Sequence, residues 1–426
     1  MKQLAALLLM LGFLISGCSL DQCDQTITYT KMSAIYTDLD LMRVDDLVES
    51  ARTIEQPGKI YVSAELLIIG DRGTGIHIID NTDPSNPTPI SFLNVPGSTQ
   101  LYVEGDYIYS NAFYDMIKID ISDMNNIRIA DRMEEAFPIE FRNADNHVLS
   151  GFNIEQVTEH THCDDLLFDG GTFFFDDTDV LLDESAIPTS FISNGSAIGT
   201  ANRIATVDEA MFIINRAQIF SFDIADDQIS EHSTYRFTER IGWQMETIFA
   251  EDDLLYIGSQ NGMSIHRLTT SNIQWEGEYF HATGCDPVLP IAGGIAYLTL
   301  RSGDECPGDV NSLNVLDINN SRNPFLIQEI PMTSPFGLSL IGDVLYVGEG
   351  NNGLRIFDAS NRSALSEITF IRDISAYDII AHPTRTDVVL LASEQGLVQY
   401  GVDGVQFSAL SAVSYTHLTL PTILLV

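Results

Sequence analysis

The sequence is poor in positive charge. Its 426 residues include 21 lysines and arginines against 60 aspartates and glutamates, which gives a formal net charge of −39. A protein that binds nucleic acid needs a basic surface for the phosphates, so this composition excludes nucleic acid as a partner. The acidic residues are spread along the chain, which predicts a solvated, self-repelling surface. We expect no cofactor; Ca²⁺, which prefers carboxylate ligands, is the alternative that the composition leaves open.

The sequence also lacks a hydrophobic run long enough to span a bilayer. Residues 4–15 form a short apolar run behind Lys2, and the sequence Ile-Ser-Gly-Cys then ends at Cys18. This arrangement resembles a bacterial lipoprotein signal, which is cleaved before the cysteine and leaves lipid on its sulfur. The resemblance implies a signal peptide at residues 1–17 and a chain anchored by lipid alone at the outer membrane or cell surface, facing periplasm or exterior. The alternative is an ordinary signal peptide with an incidental cysteine.

Long amphipathic helical patterns are missing as well, and period-two patterns prevail. A unit that reads apolar, any, apolar, apolar, Asp occurs seven times, with the terminal Asp replaced in the fourth and seventh copies. The copies lie at residues 76–80, 116–120, 219–223, 263–267, 313–317, 354–358 and 397–401. Their last residues are 40 to 50 positions apart, except for one gap of 103.

A hairpin pattern precedes each copy, and a polar turn with a fourth strand pattern follows, for example at residues 88–93 and 326–330. Several hairpin tips carry Gly-Asp or Glu-Asp-Asp, residues that tolerate a positive φ. Four strands in 40 to 50 residues is the period of a propeller blade. We therefore expect an all-β chain with a single β-propeller of four-stranded antiparallel blades at residues 59–412. Seven blades fit the pattern best, and six or eight are the alternatives.

Residues 75–87, Gly-Ile-His-Ile-Ile-Asp-Asn-Thr-Asp-Pro-Ser-Asn-Pro, resemble the LVIVD repeat of bacterial and archaeal surface proteins. The resemblance covers about residues 59–411 and is strongest in repeats one, two, five and six. It implies a propeller fold and a surface location. The family has no established activity and no catalytic motif to carry over.

The gap of 103 residues contains an excess of roughly 60 residues over one repeat. We expect residues 139–157 to extend the outer strands of the second blade into a hairpin, and residues 159–200 to form an insertion loop. A hidden eighth blade is the rival interpretation. Residues 18–58 are a tether and lead-in that we expect to pair with the last blade and close the ring. Residues 413–426 resemble the translation of a sequencing adapter and are left out of the fold.

Cysteine is scarce, with five residues in the chain. Lipidation of Cys18 leaves an even number, which favours disulfides in an extracytoplasmic protein. Cys285 and Cys306 lie in one repeat on either side of a strand pattern, so we expect them to pair. Cys23 and Cys163 then pair by elimination, although four cysteines allow three connectivities.

The insertion holds the residues that we select as binding-loop candidates. His160 and His162 are two residues apart and precede Cys163, an arrangement that could bind a metal ion. A disulfide cysteine beside polar histidines is the simpler explanation, because no second cluster of metal-ligating residues lies nearby in the sequence. A run of aromatic residues could anchor a partner, and acidic residues that follow it could bind Ca²⁺ or form a solvated turn. The candidates are His160, His162, Phe173, Phe174, Phe175, Asp176, Asp177 and Asp179.

No sequence signal for a serine hydrolase, a Walker loop or a dinucleotide-binding turn is present, and we nominate no catalytic residue. The aspartates that end the repeated unit have the spacing of caps for the following turn. We expect a non-catalytic, monomeric surface lipoprotein that binds extracellular protein or glycan. The alternatives are a propeller hydrolase or lyase acting on polysaccharide or lactone, and a structural component of the envelope.

Overall fold

The structure is a computed structural model that describes residues 24–44, 46–139, 142–162, 203–214, 218–225, 228–236, 245–269, 272–282, 284, 287–303, 308–393 and 396–414. The chain falls into two compact units, which are described separately. One unit takes Met1–Ile35 and Gly151–Gly195, and the other takes Tyr36–Ser150 and Ser196–Val426. Within the described part of the chain, no helix is both long and apolar enough to cross a membrane.

The larger unit is a propeller of seven antiparallel sheets, each built from four consecutive strands. The first three blades, from inner to outer strand, are β3 (Pro57–Val62), β4 (Leu66–Asp71), β5 (Gly75–Asp80) and β6 (Thr88–Asn94); β7 (Leu101–Glu104), β8 (Tyr107–Ala112), β9 (Asp115–Asp120) and β10 (Arg128–Met133); and β12 (Arg203–Val207), β13 (Ala210–Ile214), β14 (Gln218–Asp223) and β15 (Ser230–Arg236).

The fourth and fifth blades are β16 (Met245–Glu251), β17 (Leu254–Ser259), β18 (Gly262–Thr269) and β19 (Asn272–Phe280), and β20 (Val288–Ile291), β21 (Ile295–Leu300), β22 (Ser312–Asp317) and β23 (Phe325–Pro331). The sixth and seventh are β24 (Leu338–Ile341), β25 (Val344–Gly348), β26 (Leu354–Asp358) and β27 (Ser366–Ile371), and β28 (Asp378–Ala381), β29 (Val388–Ser393), β30 (Gly396–Asp403) and β31 (Gln406–Val413). The prediction of seven four-stranded blades is confirmed, and all seven copies of the repeated unit form third strands.

The blades are apolar on both faces because each face packs on a neighbouring blade. All six residues of β29 are buried, and so are the first five residues of β5. Among the described residues, seven clusters of buried side chains each join one pair of adjacent blades. Period-two strands with no polar face are therefore stable only as part of a ring.

Glycine at the start of the third strand lets the outer strand approach closely. Gly75 has φ +155° and Gly353 has φ +131°, conformations that other residues rarely adopt. A Cβ at Gly75 would lie 2.0 Å from the carbonyl oxygen of Leu93, and one at Gly353 would lie 2.2 Å from that of Ile371. The glycine of the repeat is thus required by backbone packing within the blade.

The aspartates that end the third strands cap the turns that follow, as the sequence predicts. In each of five blades, a carboxylate oxygen accepts a hydrogen bond from the backbone N–H two residues later, over 2.8 to 3.0 Å. The five are Asp80, Asp120, Asp223, Asp317 and Asp358. These side chains have a structural role in the turns.

The ring closes without a shared strand, which contradicts the expectation that the N-terminal segment pairs with the last blade. A short helix, α1 (Leu39–Met42), is followed by β2 (Val48–Ser50), and β2 pairs with β6 as a fifth strand of the first blade. The seventh blade meets the first through an apolar cluster and through the buried amides of Asn81 and Gln399, whose hydrogen bonds are 2.6 and 3.2 Å long.

The smaller unit contains a two-stranded sheet of β1 (Asp24–Thr37) and β11 (Val148–His162). The prediction that residues 139–157 extend the second blade is wrong, because β11 is hydrogen-bonded to β1 and lies outside that blade's sheet. The sequence pattern shows that this segment is a strand but does not identify its partner.

Buried acids connect the entry of several blades to their second strands. In the sixth blade, Glu349 is fully buried, and its Oε2 accepts hydrogen bonds from the backbone N–H groups of Thr333 and Ser334 at 2.6 and 2.8 Å. It also forms an ion pair with Arg355 on the third strand. In the first blade, Asp71 accepts from two backbone N–H groups in the same way and pairs with His77 at 3.1 Å.

We predict that Glu349→Ala destabilises the propeller by about 3–5 kcal/mol, because it leaves two buried backbone donors without their acceptor and removes the buried carboxylate that pairs with Arg355. Urea unfolding of the variant and the parent protein measures this difference. Asp343 is the matched control, since its ion pair with Arg362 at 3.0 Å is exposed and its loss should cost less than about 1 kcal/mol. Equal destabilisation by Asp343→Ala would contradict the assignment.

Candidate functional site

The antiparallel blades give the propeller two chemically different faces. Connections in an antiparallel sheet alternate between its ends. The hairpin between strands one and two and the turn after strand three therefore lie on one side, which we call the turn face. The entry into each first strand and the loop after each second strand lie on the opposite side, which we call the loop face.

The turn face carries a dense population of exposed acids. They are located at the hairpin tips and in the turns that the strand-end aspartates cap. The exposed ones among the described residues include Glu65, Asp80, Asp83, Glu104, Asp106, Asp123, Asp208, Glu209, Asp223, Asp252, Asp253, Asp343, Asp358, Asp387 and Asp403. Part of the negative charge of the chain is thus explained by turn chemistry that recurs in most of the blades.

The loop face brings five charged residues together at the axis of the ring. Lys59, Arg203, Glu246 and Asp378 lie within the first three residues of the inner strands of blades one, three, four and seven. Arg72 follows the second strand of blade one, and its backbone N–H donates to the carbonyl of Gln56 at 2.8 Å. We call these five residues the axial cluster.

Electrostatic interactions link members of the axial cluster across blades that are not neighbours. The charge of Arg203 in blade three acts on Lys59 in blade one and on Asp378 in blade seven. Blade three borders neither of those blades. Inner strands from separated blades approach one another at the axis of a propeller, so these charges face the central channel.

Burial within the ring shifts the pKa of four members of the axial cluster. It lowers the pKa of the Lys59 ammonium, and the charge of Arg203 lowers it further while Asp378 opposes the change. It raises the pKa of the Asp378 carboxyl against the effects of the Ile379 N–H and the charges of Lys59 and Arg203. Burial also lowers the pKa of Arg203, and it brings that of Arg72 to about 10. These groups are held in an environment that disfavours their charged forms.

The Asp378 carboxylate is closely enclosed and receives little hydrogen bonding. Its side chain is 2% exposed in the described structure, and its Oδ1 accepts from the backbone N–H of Ile379 at 2.9 Å. A Cβ at Gly337 would lie 2.1 Å from the same oxygen, so no larger residue fits there without movement. Asp71 and Glu349, by contrast, each accept from two backbone N–H groups, and each contacts a basic side chain, His77 or Arg355.

A shallow polar cavity of about 220 Å³ lies between blades six and seven on the loop face. Its lining residues are Asn351, Arg372, Asp373, Ser375, Ser393, Val398 and Tyr400. Beside it, the ring of Phe336 contacts that of Tyr377 edge-on at 4.8 Å, and the Arg301 guanidinium lies 4.2 Å above Phe336. The rim of the loop face therefore offers hydrogen-bonding groups and aromatic surface next to the axial cluster.

The site residues selected from the sequence fall elsewhere. Cys18, Cys23, Cys163, Cys285, Cys306, Phe173, Phe174, Phe175, Asp176, Asp177 and Asp179 lie outside the described residues. His160 and His162 are in β11, and their side chains are outside the description too. Within the described ranges, no group of three His, Cys, Asp or Glu side chains is placed to hold a metal ion.

Sequence reasoning missed the axial cluster entirely. A charged residue at the start of an otherwise apolar inner strand, such as Lys59 before Ile60, is the signal that could have indicated it. That signal says only that the side chain is near the axis. The identity of its neighbours depends on the number of blades and on ring closure.

Comparison with known proteins agrees with this architecture. The LVIVD repeat model matches residues 58–93 and 337–372, which are in blades one and six. No curated protein matches the chain in sequence.

Solved propellers are similar in fold alone. A candidate 6-phosphogluconolactonase from Bacteroides uniformis is 12% identical, with 82% of this chain and 95% of that chain covered and a TM-score of 0.54. A second candidate 6-phosphogluconolactonase, from Bacteroides fragilis, is 12% identical with coverage of 85% and 95% and a TM-score of 0.53. Sqt1 of Saccharomyces cerevisiae is 9% identical with coverage of 86% and 88% and a TM-score of 0.51. The chain is an all-β, seven-bladed β-propeller protein that carries LVIVD repeats.

Proposed function

We propose that this protein is a lipid-anchored binding module of the bacterial cell surface, and that its loop face binds extracellular glycan or protein. The axial cluster is the observation that carries the proposal. It collects cations and acids from blades that are far apart in sequence, at the place where the ring leaves an opening. Ligand sites of ring-shaped folds are typically concave, with a few converging polar groups.

The contrast between the two faces supports the choice of the loop face. Several of the exposed acids on the turn face already accept hydrogen bonds from the backbone of the turns that they cap. Their negative charge also repels an anionic partner. The loop face has a mixture of charges, a polar cavity and an aromatic pair. Such surfaces provide the specific contacts that interfaces use.

The anchor and the insertion complete the proposal. The resemblance of the segment ending at Cys18 to a lipoprotein signal supports an anchor at the outer membrane or cell surface, and in this proposal the monomeric chain meets extracellular partners there. Residues 159–200, with their histidine, phenylalanine and aspartate candidates, contribute to recognition as an inserted segment.

An enzyme acting on a lactone or an acidic polysaccharide is the second candidate function. The specific observation in its favour is the pair formed by Lys59 and Asp378. Burial lowers the pKa of the amine and raises that of the carboxyl, so both groups become suited to proton transfer nearer to neutral pH. The two Bacteroides lactonase candidates share the fold at 12% identity, which supports the architecture and leaves the chemistry open.

Reversing a charge on the loop face should abolish ligand binding. Arg372 is exposed at the rim of the polar cavity, with its guanidinium 4.1 Å from the Phe370 ring, so Arg372→Glu changes the surface without removing core contacts. We expect this variant to lose binding in an array of purified envelope polysaccharides and surface proteins probed with the mature chain. The salt dependence of the remaining binding should also fall.

Arg128→Glu is the matched control for that array, because Arg128 is an exposed arginine on the turn face that pairs with Asp120. It should bind as the parent protein does. Loss of binding by both variants, or by neither, would count against the loop face. A chain without residues 159–200 tests the insertion in the same array, and unchanged binding would remove the insertion from the proposal.

Replacement of the lipidated cysteine should release the protein from membranes. We expect Cys18→Ala to shift the chain from the membrane fraction to the soluble fraction after cell fractionation, because acyl chains are the proposed anchor. Mass spectrometry of the parent protein should find lipid on Cys18. An unlipidated parent chain, or a variant that stays in the membrane fraction, would refute the anchor.

The second candidate predicts turnover of a lactone or a polyuronate by the parent protein. Lys59→Met and Asp378→Asn should then each lower kcat by roughly 100-fold or more, since they remove the groups that transfer protons. Product release from both substrate classes, followed by chromatography, measures this. If the parent protein forms product no faster than the uncatalysed reaction does, the second candidate function is eliminated.

A further inference from the structure

We propose that the axial cluster binds an anionic group of the ligand, a carboxylate or a sulfate or phosphate ester carried by a glycan, and that Asp378 makes this binding stronger as the pH falls. The inference rests on the proposed binding role of the loop face and names the chemistry that the face recognises. It follows from the charge balance of the cluster, the position of Arg72 and the surroundings of Asp378.

The axial cluster holds more positive than negative charge. Within it, Lys59, Arg72 and Arg203 face two carboxylates, those of Glu246 and Asp378. Asp71, outside the cluster, also acts on Arg72, but its oxygens already accept hydrogen bonds from the backbone N–H groups of Glu55 and Gln56 and contact His77. The positive excess is notable in a chain with a formal net charge of −39. Each of the three cations has its pKa lowered by burial, so an additional negative charge at this place would stabilise all of them.

Arg72 supplies a donor that is ready for such a group. Its buried Nε has no hydrogen-bond partner among the residues that the structure describes, while its backbone N–H is held by Gln56 at 2.8 Å. The neighbouring Gly58 leaves space for the side chain, since a Cβ there would lie 3.0 Å from the Arg72 Cγ. A guanidinium presents several donors in one plane and matches the oxygens of carboxylate, sulfate and phosphate.

Asp378 occupies the position of a competing anion. It is buried beside Lys59 and Arg203, and within the described structure its carboxylate accepts one hydrogen bond, from the N–H of Ile379. Charged groups that face it are Lys59 from the first blade and Arg203 from the third. When Asp378 takes up a proton, the cluster keeps its three cations and loses one of its two negative charges. Anion binding then strengthens, and protonation of Lys59 acts in the same direction.

Titration calorimetry of the mature chain with four probes tests the inference. The probes are oligogalacturonate, its fully methyl-esterified form, inorganic sulfate and inorganic phosphate. The ester keeps the sugar and removes the charge, and comparison of the three anions distinguishes the sources of the negative group. We expect the acid form to bind and the ester to bind at least tenfold more weakly, since charge-assisted hydrogen bonds are lost.

Three variants isolate the residues. Arg72→Gln should weaken binding of the anion by roughly 10- to 100-fold, and Arg128→Gln on the turn face should leave it unchanged. The parent protein should bind more tightly at about pH 6 than at about pH 9, a range over which the galacturonate probe stays ionised. Asp378→Asn should bind more tightly than the parent at about pH 9 and show a smaller difference between the two pH values. Thermal unfolding of each unliganded variant identifies any that fail to fold.

The outcomes separate this inference from the proposed function. Equal binding of the acid and the ester, or full affinity in a folded Arg72→Gln, overturns the anion site even if Arg372→Glu abolishes array binding. Tighter binding at high pH overturns the role of Asp378. Failure of every probe to bind overturns the inference, and retention of array binding by Arg372→Glu overturns the proposed function.

Discussion

Each blade of this protein is apolar on both faces, and that single constraint determines the ring. A four-stranded sheet such as that of β29, whose six residues are all buried, has no face that water can cover. Every blade must therefore have two neighbours, and only a closed ring gives two neighbours to all of them. Closure needs no shared strand here, because Asn81 and Gln399 satisfy each other's amides inside the last interface.

The sequence predicts what is local and repeats. The third strands, the turns capped by Asp80 and its equivalents, and the blade number all follow from the periodic pattern. What depends on the ring does not follow. Lys59 and Asp378 lie at opposite ends of the propeller sequence and meet only because seven blades close, so no window of sequence contains their interaction. Likewise, the strand pattern at residues 148–162 does not reveal that β11 pairs with β1.

Buried acids in this protein are of two kinds, and the difference separates structure from function. Asp71 and Asp115 are buried, which by itself raises the pKa of a carboxyl, but backbone N–H groups and basic side chains outweigh burial and lower it. Asp378 has one backbone donor, and burial prevails, so its pKa is raised. The first kind stabilises the native state above the pKa of the unfolded carboxyl and loses this effect as the pH falls.

A carboxyl whose charged form is disfavoured contributes little to the fold, and this makes the axial cluster hard to explain as a structural element. Apolar side chains of similar volume at the starts of the inner strands would avoid the cost of burying charges. Elsewhere in the ring, buried acids accept from pairs of backbone donors, as the Oε2 of Glu349 does. Among the described residues, the Arg72 Nε has no hydrogen-bond partner and the Asp378 carboxylate accepts one hydrogen bond. A ligand at the axis of the loop face can supply the acceptor that Arg72 lacks.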